Sequence, residues 1–418
     1  KKPFQSAASL RDRRHASRCG VDSPALAMAA AHAAGFAGWW RHSLIALAAS
    51  AGTWALLQSG AHSRVVAWFR LTMHNLDTII DETWYLWWIG DCEVLDSAQE
   101  DAADSALAAG VNVVYAASEN EFPGLLTSML SLSRHLADPQ DCRIHLIVLG
   151  ADEDQATRLV QCFRQELGPD RPAPEVRILR ARPLPFNMSQ FEEVWSDIWP
   201  KGAAFFTSLS FTSLYLHEYL PSEARAVWIE PDTIVQADVA RLYRTPMRTA
   251  LAAALDMKVA TWRAVFMELM EDLELPRQPW WRPLDIKLDD RILNSGVLVL
   301  DLNRWRAENR TGRCEEWVRR VSGVKVASLA LNLEFGRHFD VLDWRWNVMG
   351  LMVTPPDQCL GQARILHWAE AKKPWSKQAL DLPMRMQAFY RNLTSPYEPQ
   401  GACSWRDEML DSDADISL

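Results

Sequence analysis

The clearest patterning begins at Val111. The run VNVVYAA (111–117) is β-branched and continuously apolar, as in a strand buried on both faces. A polar segment follows, and then PGLLTSMLSLSRHL (123–136) takes up helical spacing. RIHLIVLG (143–150) predicts a second strand, DQATRLVQCFRQEL (154–167) a second helix and VRILRA (176–181) a third strand. Residues 205–220 (FFTSLSFTSLYLHEYL) predict a further helix leading into AVWIE (226–230), with later strands at 250–255 and 296–301. Strands alternating with helices indicate a parallel α/β sheet with right-handed crossovers. No internal repeat is visible.

The first part of the chain is different. Residues 1–18 carry Lys1, Lys2, Arg11, Arg13, Arg14 and Arg18 against the single acid Asp12. Two apolar stretches, 24–40 and 43–57, follow on either side of Arg41-His42. Each falls short of the ~20 residues that span a bilayer comfortably. The basic flank favours a signal-anchor, giving a single N-terminal membrane anchor. A cleavable signal or transit segment and a buried Ala-rich helix remain open alternatives. Residues 62–91 have the spacing of a helical stem, and 93–109 are small and acidic, like a linker. The expected organisation is a targeting or anchor segment (1–60), a stem and linker (61–109), the α/β domain (110–395) and an acidic tail (396–418).

Composition narrows the function. Of 418 residues, 44 are Lys or Arg and 53 Asp or Glu, a net charge of −9. Such a chain, with no basic block in its α/β region, is a poor candidate for gripping nucleic acid. The 20 tryptophans suit buried cores or a sugar-binding cleft. The seven cysteines include no C-x-x-C pair, which argues against a zinc ribbon or a thioredoxin-type site. An odd count permits three disulfides at most.

Open α/β sheets bind ligands at the carboxyl ends of their strands. Two such ends carry chemistry here. Val111–Ala117 leads to Ser118-Glu119-Asn120, and Ala226–Ile229 leads to Glu230-Pro231-Asp232. Acids placed directly after a buried strand can hold a hard divalent cation, which neutralises substrate phosphates. They can equally be solvated loop acids or helix caps.

Four segments, in this order, resemble the family 8 glycosyltransferases: WIEPDTIVQADVARLY (228–243), LNSGVLVLDLNRWR (293–306), LDWRWNVMGL (342–351) and ILHWAEAKKPW (365–375). SLALNLEF (328–335) is similar to the plant galacturonosyltransferase and galacturonosyltransferase-like branch. The resemblance implies a GT-A fold: a Rossmann-like, mostly parallel central sheet with helices on both faces, preceded here by a helical extension. It implies a retaining enzyme that uses a UDP-sugar and Mn2+ or Mg2+. Glu230 and Asp232 stand at the family's Asp-x-Asp motif, Glu230 being one methylene longer. His367 opens the family's His-x-x-Gly-x-x-Lys-Pro-Trp motif and supplies the third metal ligand. Lys373 matches the lysine that faces the diphosphate. Asn294 and Asp256 match positions that face the donor sugar. Ala116, Ser118 and Asn120 stand where the family binds uracil.

Three further positions depart from the family. Ser118 replaces an acid, Ser213 an arginine near the donor, and Glu370 the glycine of the phosphate loop. The implied activity is retaining transfer of a hexosyl or hexuronosyl group, such as galacturonosyl, to a glycan or polysaccharide acceptor. The alternative is an inactive family member that binds or anchors an active transferase, in a homo- or hetero-oligomer. The basic N-terminus, the apolar stretch and the sequons at Asn187, Asn309 and Asn392 suit a type II protein of the Golgi membrane or another endomembrane or organelle compartment.

Glu370 offers a direct test. A carboxylate a few ångströms from a diphosphate would cost about 1–4 kcal/mol, or about one to three decades in affinity. The expected arrangement turns Glu370 outward, toward Lys372. Glu370→Gly should then change UDP affinity by less than about threefold in calorimetry with Mn2+. A gain of about tenfold or more would show that the carboxylate blocks the phosphate loop.

Overall fold

The computed structural model describes residues 110–186, 208–256, 261–262, 278–321, 327–349, 351, 360–369, 373–375, 392–394, 397 and 403. The expected anchor (1–60), the stem and linker (61–109), Glu370 and Lys372 lie outside them. Among the described residues, no helix is long and apolar enough to cross a membrane.

The first two strand–helix pairs and the third strand form as their patterning predicts. They are β1 (Val111–Ala116), α1 (Phe122–His135), β2 (Cys142–Val148), α2 (Glu153–Leu167) and β3 (Glu175–Arg180). α1 carries Pro123 in its first turn, where a missing N–H removes no helical bond. α2 has Glu153 and Asp154 in its first turn, which suits the helix dipole, and it stops at Gly168, whose φ of 85° favours glycine.

The expected helix at 205–220 needs correction. Ser208–Tyr215 is a 3-10 turn, and only α3 (Leu216–Tyr219) is α-helical. Ser208, Ser210, Thr212 and Ser213 crowd this segment, and such residues compete with the helical ladder for backbone bonds. Next come β4 (Arg225–Ile229), β5 (Thr233–Val235), α4 (Val239–Tyr243), β6 (Leu251–Leu255) and β7 (Leu293–Asp301). The described chain continues through α5 (Leu302–Ala307), α6 (Arg310–Arg320), α7 (Ala327–Phe335), β8 (Asp340–Val341) and β9 (Ile365–His367).

Seven strands form the main sheet in the order β3-β2-β1-β4-β7-β6-β8. Strand order reverses between β1 and β4, which opens a crevice at their carboxyl ends. β7 pairs antiparallel with both β4 and β6, while the other pairings in this sheet are parallel. The sheet is covered on both faces. Val113 and Tyr115 of β1 join the core containing Leu125 and Met129 of α1 and Phe163 of α2. Val114 and Ala116 join the opposite core with Phe211, Trp305 of α5 and Leu331 of α7.

β5 and β9 pair antiparallel in a separate two-stranded sheet. Cys162 of α2 is disulfide-bonded to Cys403, with a Cα–Cα distance of 5.5 Å, while Cys142 and Cys314 are buried free thiols.

A buried polar network closes the amino ends of the strands. His145 Nε2 meets Asn112 Oδ1 at 3.1 Å, and Asn112 Nδ2 donates to Glu223 at 2.9 Å. Burial, reinforced by Arg177, pushes His145 down to about 4. The unfolded chain therefore binds a proton near pH 6.5 that the folded chain refuses until about pH 4. Stability present above pH 6.5 should fall as pH drops through this window. Melting followed by circular dichroism should show His145→Gln losing about 1–3 kcal/mol less than the parent between pH 6.5 and 4. Parallel curves for the two proteins would refute this role for His145.

Candidate metal and donor site

The reversed strand β7 assembles the site. Because it runs against β4 and β6, its first residues lie beside their last. Glu230 N donates to Gly296 O at 2.9 Å, and Asp256 N donates to Ile292 O at 2.8 Å. Glu230, Asp256 and Asn294 therefore meet at one sheet edge. Ala116 ends β1, and Ser118 and Asn120 follow it, on the other side of the strand-order reversal.

A second pairing supplies the imidazole. After Pro231 the chain turns into β5, where Thr233 is the register partner of His367 in β9. Trp368 N donates to Asp232 O at 2.9 Å, and His367 N donates to Val348 O at 2.9 Å. His367 is buried, with Nε2 3.0 Å from Glu230 Oε2 and 3.4 Å from Asp232 Oδ1. The ligand atoms of Glu230, Asp232 and His367 all lie within 4.8 Å of one another.

Electrostatics show what this cluster lacks. Burial opposes ionisation of Asp232, but Lys373 and then His367 hold its carboxyl well below the usual range. Burial likewise opposes the His367 imidazolium, yet Asp232 and Glu230 raise the group to about 10. Lys373 Nζ donates to Asp232 Oδ2 and, at 2.7 Å, to Trp368 O. The other carboxylate oxygen, Asp232 Oδ1, and His367 Nε2 are buried without a well-formed hydrogen bond. Two carboxylates and an imidazole, with two such atoms facing each other, fit a divalent cation of the Mn2+ type.

A chain of amides links this cluster to the residues expected to face the sugar. His367 Nδ1 meets Asn347 Oδ1 at 2.9 Å, and Asn347 Nδ2 donates to Asn294 Oδ1 at 2.9 Å. Asn294 Nδ2 donates in turn to Asp256 Oδ2 at 2.9 Å. Sequence reasoning missed Asn347, although it lies inside LDWRWNVMGL as an amide among apolar residues.

Glu121 was also missed. Its carboxylate accepts from Ser118 N at 2.9 Å and Ser118 Oγ at 3.0 Å. Burial raises this half-buried carboxyl to about 7, with Asp232 adding to the shift and Lys373 opposing it. Ser118, standing where the family has an acid, thus holds one three residues on. Ser213 is buried in the 3-10 turn and carries no charge. Lys373, expected against a diphosphate, is ion-paired to the candidate ligand Asp232.

The model of the family described as "Glycosyl transferase family 8" matches residues 112–379. Mouse "Glycosyltransferase 8 domain-containing protein 1" is 27% identical over 194 residues, which are 41% of this chain and 52% of that protein. The chain thus spans about half the length of the first curated relatives it matches. "Probable galacturonosyltransferase-like 4" of Arabidopsis thaliana is 24% identical over 309 residues, 69% of this chain and 78% of the plant protein. The expected plant-branch likeness is therefore found. A solved structure titled as the apo form of the WbbM bifunctional glycosyltransferase covers 74% of this chain and 53% of its own, at TM-score 0.52 and 16% identity. That likeness is one of fold, and it agrees with the GT-A architecture expected from the sequence.

Gly296 gives the site a steric test. A Cβ built on it would lie 2.1 Å from His367 Cε1, so the imidazole occupies the space that any side chain would need. Gly296→Ala should displace the ring and weaken Mn2+ binding by about tenfold or more, with the fold retained by near-ultraviolet circular dichroism. Unchanged Mn2+ affinity in calorimetry would show that the ring position is irrelevant to the cation.

Proposed function

The chain belongs to glycosyl transferase family 8, and we propose that it moves a hexosyl or hexuronosyl group from a UDP-sugar to a hydroxyl of a glycan or polysaccharide, with retention. The observation that carries this reading is the convergence of Glu230, Asp232 and His367 within 4.8 Å at the carboxyl edge of the sheet. These three residues would hold Mn2+ or Mg2+, which supplies Lewis-acid stabilisation to a departing diphosphate.

The roles of the chain's own groups follow from their positions. Asp232 divides its oxygens: Oδ2 accepts from Lys373, while Oδ1 is turned toward His367 Nε2. Lys373 is thus tethered next to the cation site, where its point charge can offset negative charge on the leaving UDP. Asn294 and Asp256, hydrogen-bonded to each other, offer an amide and a carboxylate to hydroxyls of the donor sugar. The end of β1, with Ser118 and Asn120, is left for the uracil. During transfer the bond from the anomeric carbon to the diphosphate oxygen breaks with its electron pair on the diphosphate, the acceptor hydroxyl oxygen bonds to that carbon on the same face, and its proton passes to the departing diphosphate.

The alternative of a non-catalytic partner of an active transferase draws on one observation. Ser213 lies buried and uncharged where the family places an arginine near the donor. For the compartment, the Golgi lumen with an N-terminal anchor is the preferred reading. The Cys162–Cys403 disulfide supports an oxidising environment.

Release of UDP from UDP-sugars in the presence of Mn2+ tests the catalytic reading. The parent should hydrolyse at least one UDP-hexose or UDP-hexuronate slowly. Asp232→Ala and His367→Ala should lose Mn2+-dependent UDP binding and release while keeping their fold. UDP binding with Mn2+ but no release from any donor would favour the non-catalytic reading. Parent-like binding in either variant would refute the metal assignment.

A further inference from the structure

Asn347 is shut off from solvent. It follows the 3-10 turn Trp344–Trp346 and is wholly buried, immediately before Val348 and Met349 of an apolar cluster. An amide so placed must satisfy both its ends, and the partners of Asn347 fix which end is which.

Gly296 N–H donates at 2.9 Å to Asn294 Oδ1, so that atom is an oxygen. The other end of Asn294 meets the Asp256 carboxylate, which can only accept, so it is the NH2. Asn294 is thereby oriented from both sides. The group of Asn347 that meets Asn294 Oδ1 must donate, so it too is an NH2. The remaining end of Asn347 is a carbonyl oxygen, and it faces His367 Nδ1. His367 therefore carries its hydrogen on Nδ1, leaving Nε2 to face Glu230 and Asp232.

We propose that Asn347 is a positioning residue: it selects Nε2 as the nitrogen that His367 presents to the cation and, with the same amide, locks Asn294 toward the donor sugar. Cation and sugar contacts are joined through one buried side chain. This rests on the metal-dependent transferase reading above. Groups that hold a metal-ligating histidine by its second nitrogen typically change metal affinity by about 10–100-fold when removed.

The test is Mn2+ calorimetry on the full chain, arranged as a double-mutant cycle. Asn347→Leu should weaken Mn2+ binding about 10–100-fold while near-ultraviolet circular dichroism stays native. In a His367→Ala background the same change should have no further effect, because Asn347 acts through that ring. Asn347→Asp keeps an acceptor for the Nδ1 hydrogen and should stay within about threefold of the parent. If the Leu variant does not fold, Asn347→Ala is read in the same cycle.

Undiminished Mn2+ affinity in Asn347→Leu, or a loss that persists unchanged without His367, would overturn the positioning role and leave the transferase reading standing. A parent that binds no Mn2+ would overturn the metal-dependent reading and this inference with it.

Discussion

The pairing of Thr233 with His367 is the contact on which the site depends, because it sets a carboxylate and an imidazole from distant parts of the chain side by side. Two strands of three residues form a weak ladder on their own. Helix α1 reinforces it with hydroxyls. Ser128 Oγ and Thr233 Oγ1 are 2.7 Å apart, Tyr115 OH meets Ser128 Oγ at 3.0 Å, and Val235 N donates to Ser131 Oγ at 2.9 Å. Ser128 and Ser131, puzzling on a buried helix face, thus bond the hydroxyl of Thr233 and the N–H of Val235, and the latter is a group that an isolated edge strand would leave unbonded. Trp375 strengthens the arrangement by packing on Gly124 of the same helix, where a Cβ would come within 2.2 Å of the indole. Lys373, two residues earlier, is thereby brought back over Asp232.

Charge sets the second condition. Glu230 and Asp232 come together where Asp232 is fully enclosed, and a buried carboxylate without a counter-charge is costly. The chain supplies two cations of its own, Lys373 and the imidazolium of His367. They play different parts. Lys373 bonds to the outer oxygen of Asp232 and to Trp368 O, a position compatible with a cation on the opposite oxygen. His367 faces that opposite oxygen directly, so its proton and a divalent ion compete for one space. A divalent cation bound there would take the place of that proton, so the carboxylates would keep a positive charge beside them in either state.

Much of this was legible in the sequence, for identifiable reasons. Continuous apolar runs marked β1 and β2 to within two residues, because strands buried on both faces leave little choice of residue; β3, an edge strand with no buried residue, showed itself only through the short run VRIL. The segment 205–220 misled, since its apolar spacing suits a helix while its serines and threonine favour a tighter turn. β5, β8 and β9 are too short to carry a period. The candidate ligands Glu230, Asp232 and His367 could be named because they sit in motifs that the chain shares with a family. Asn347 and Glu121 carry weaker signals. Asn347 lies in one of those motifs, but it works by joining two other side chains, a relation without a spacing of its own; Glu121 accepts from Ser118 in a Ser-x-x-Glu capping box, a spacing that equally marks an ordinary helix start.

The direction of β7 unites fold and chemistry. Had this strand run parallel to β4, its polar start would lie at the amino edge, beside the network of Asn112, His145 and Glu223, and its carboxyl end would carry Asp301 to the crevice. Running antiparallel, it delivers Asn294 and Gly296 to the crevice, while Asp301 caps α5 at the far edge by accepting from Arg304 N. The two residues then act as a pair. Gly296 leaves room for the His367 ring, and its N–H orients Asn294, which orients Asn347, which fixes that ring. One tripeptide, Asn294-Ser295-Gly296, thus meets the histidine twice, once through the space that Gly296 leaves and once through a line of hydrogen bonds. That double constraint gives a physical reason for an N-x-G sequence at the start of this strand, since neither an oriented asparagine nor a missing side chain would alone hold the imidazole in register with Asp232.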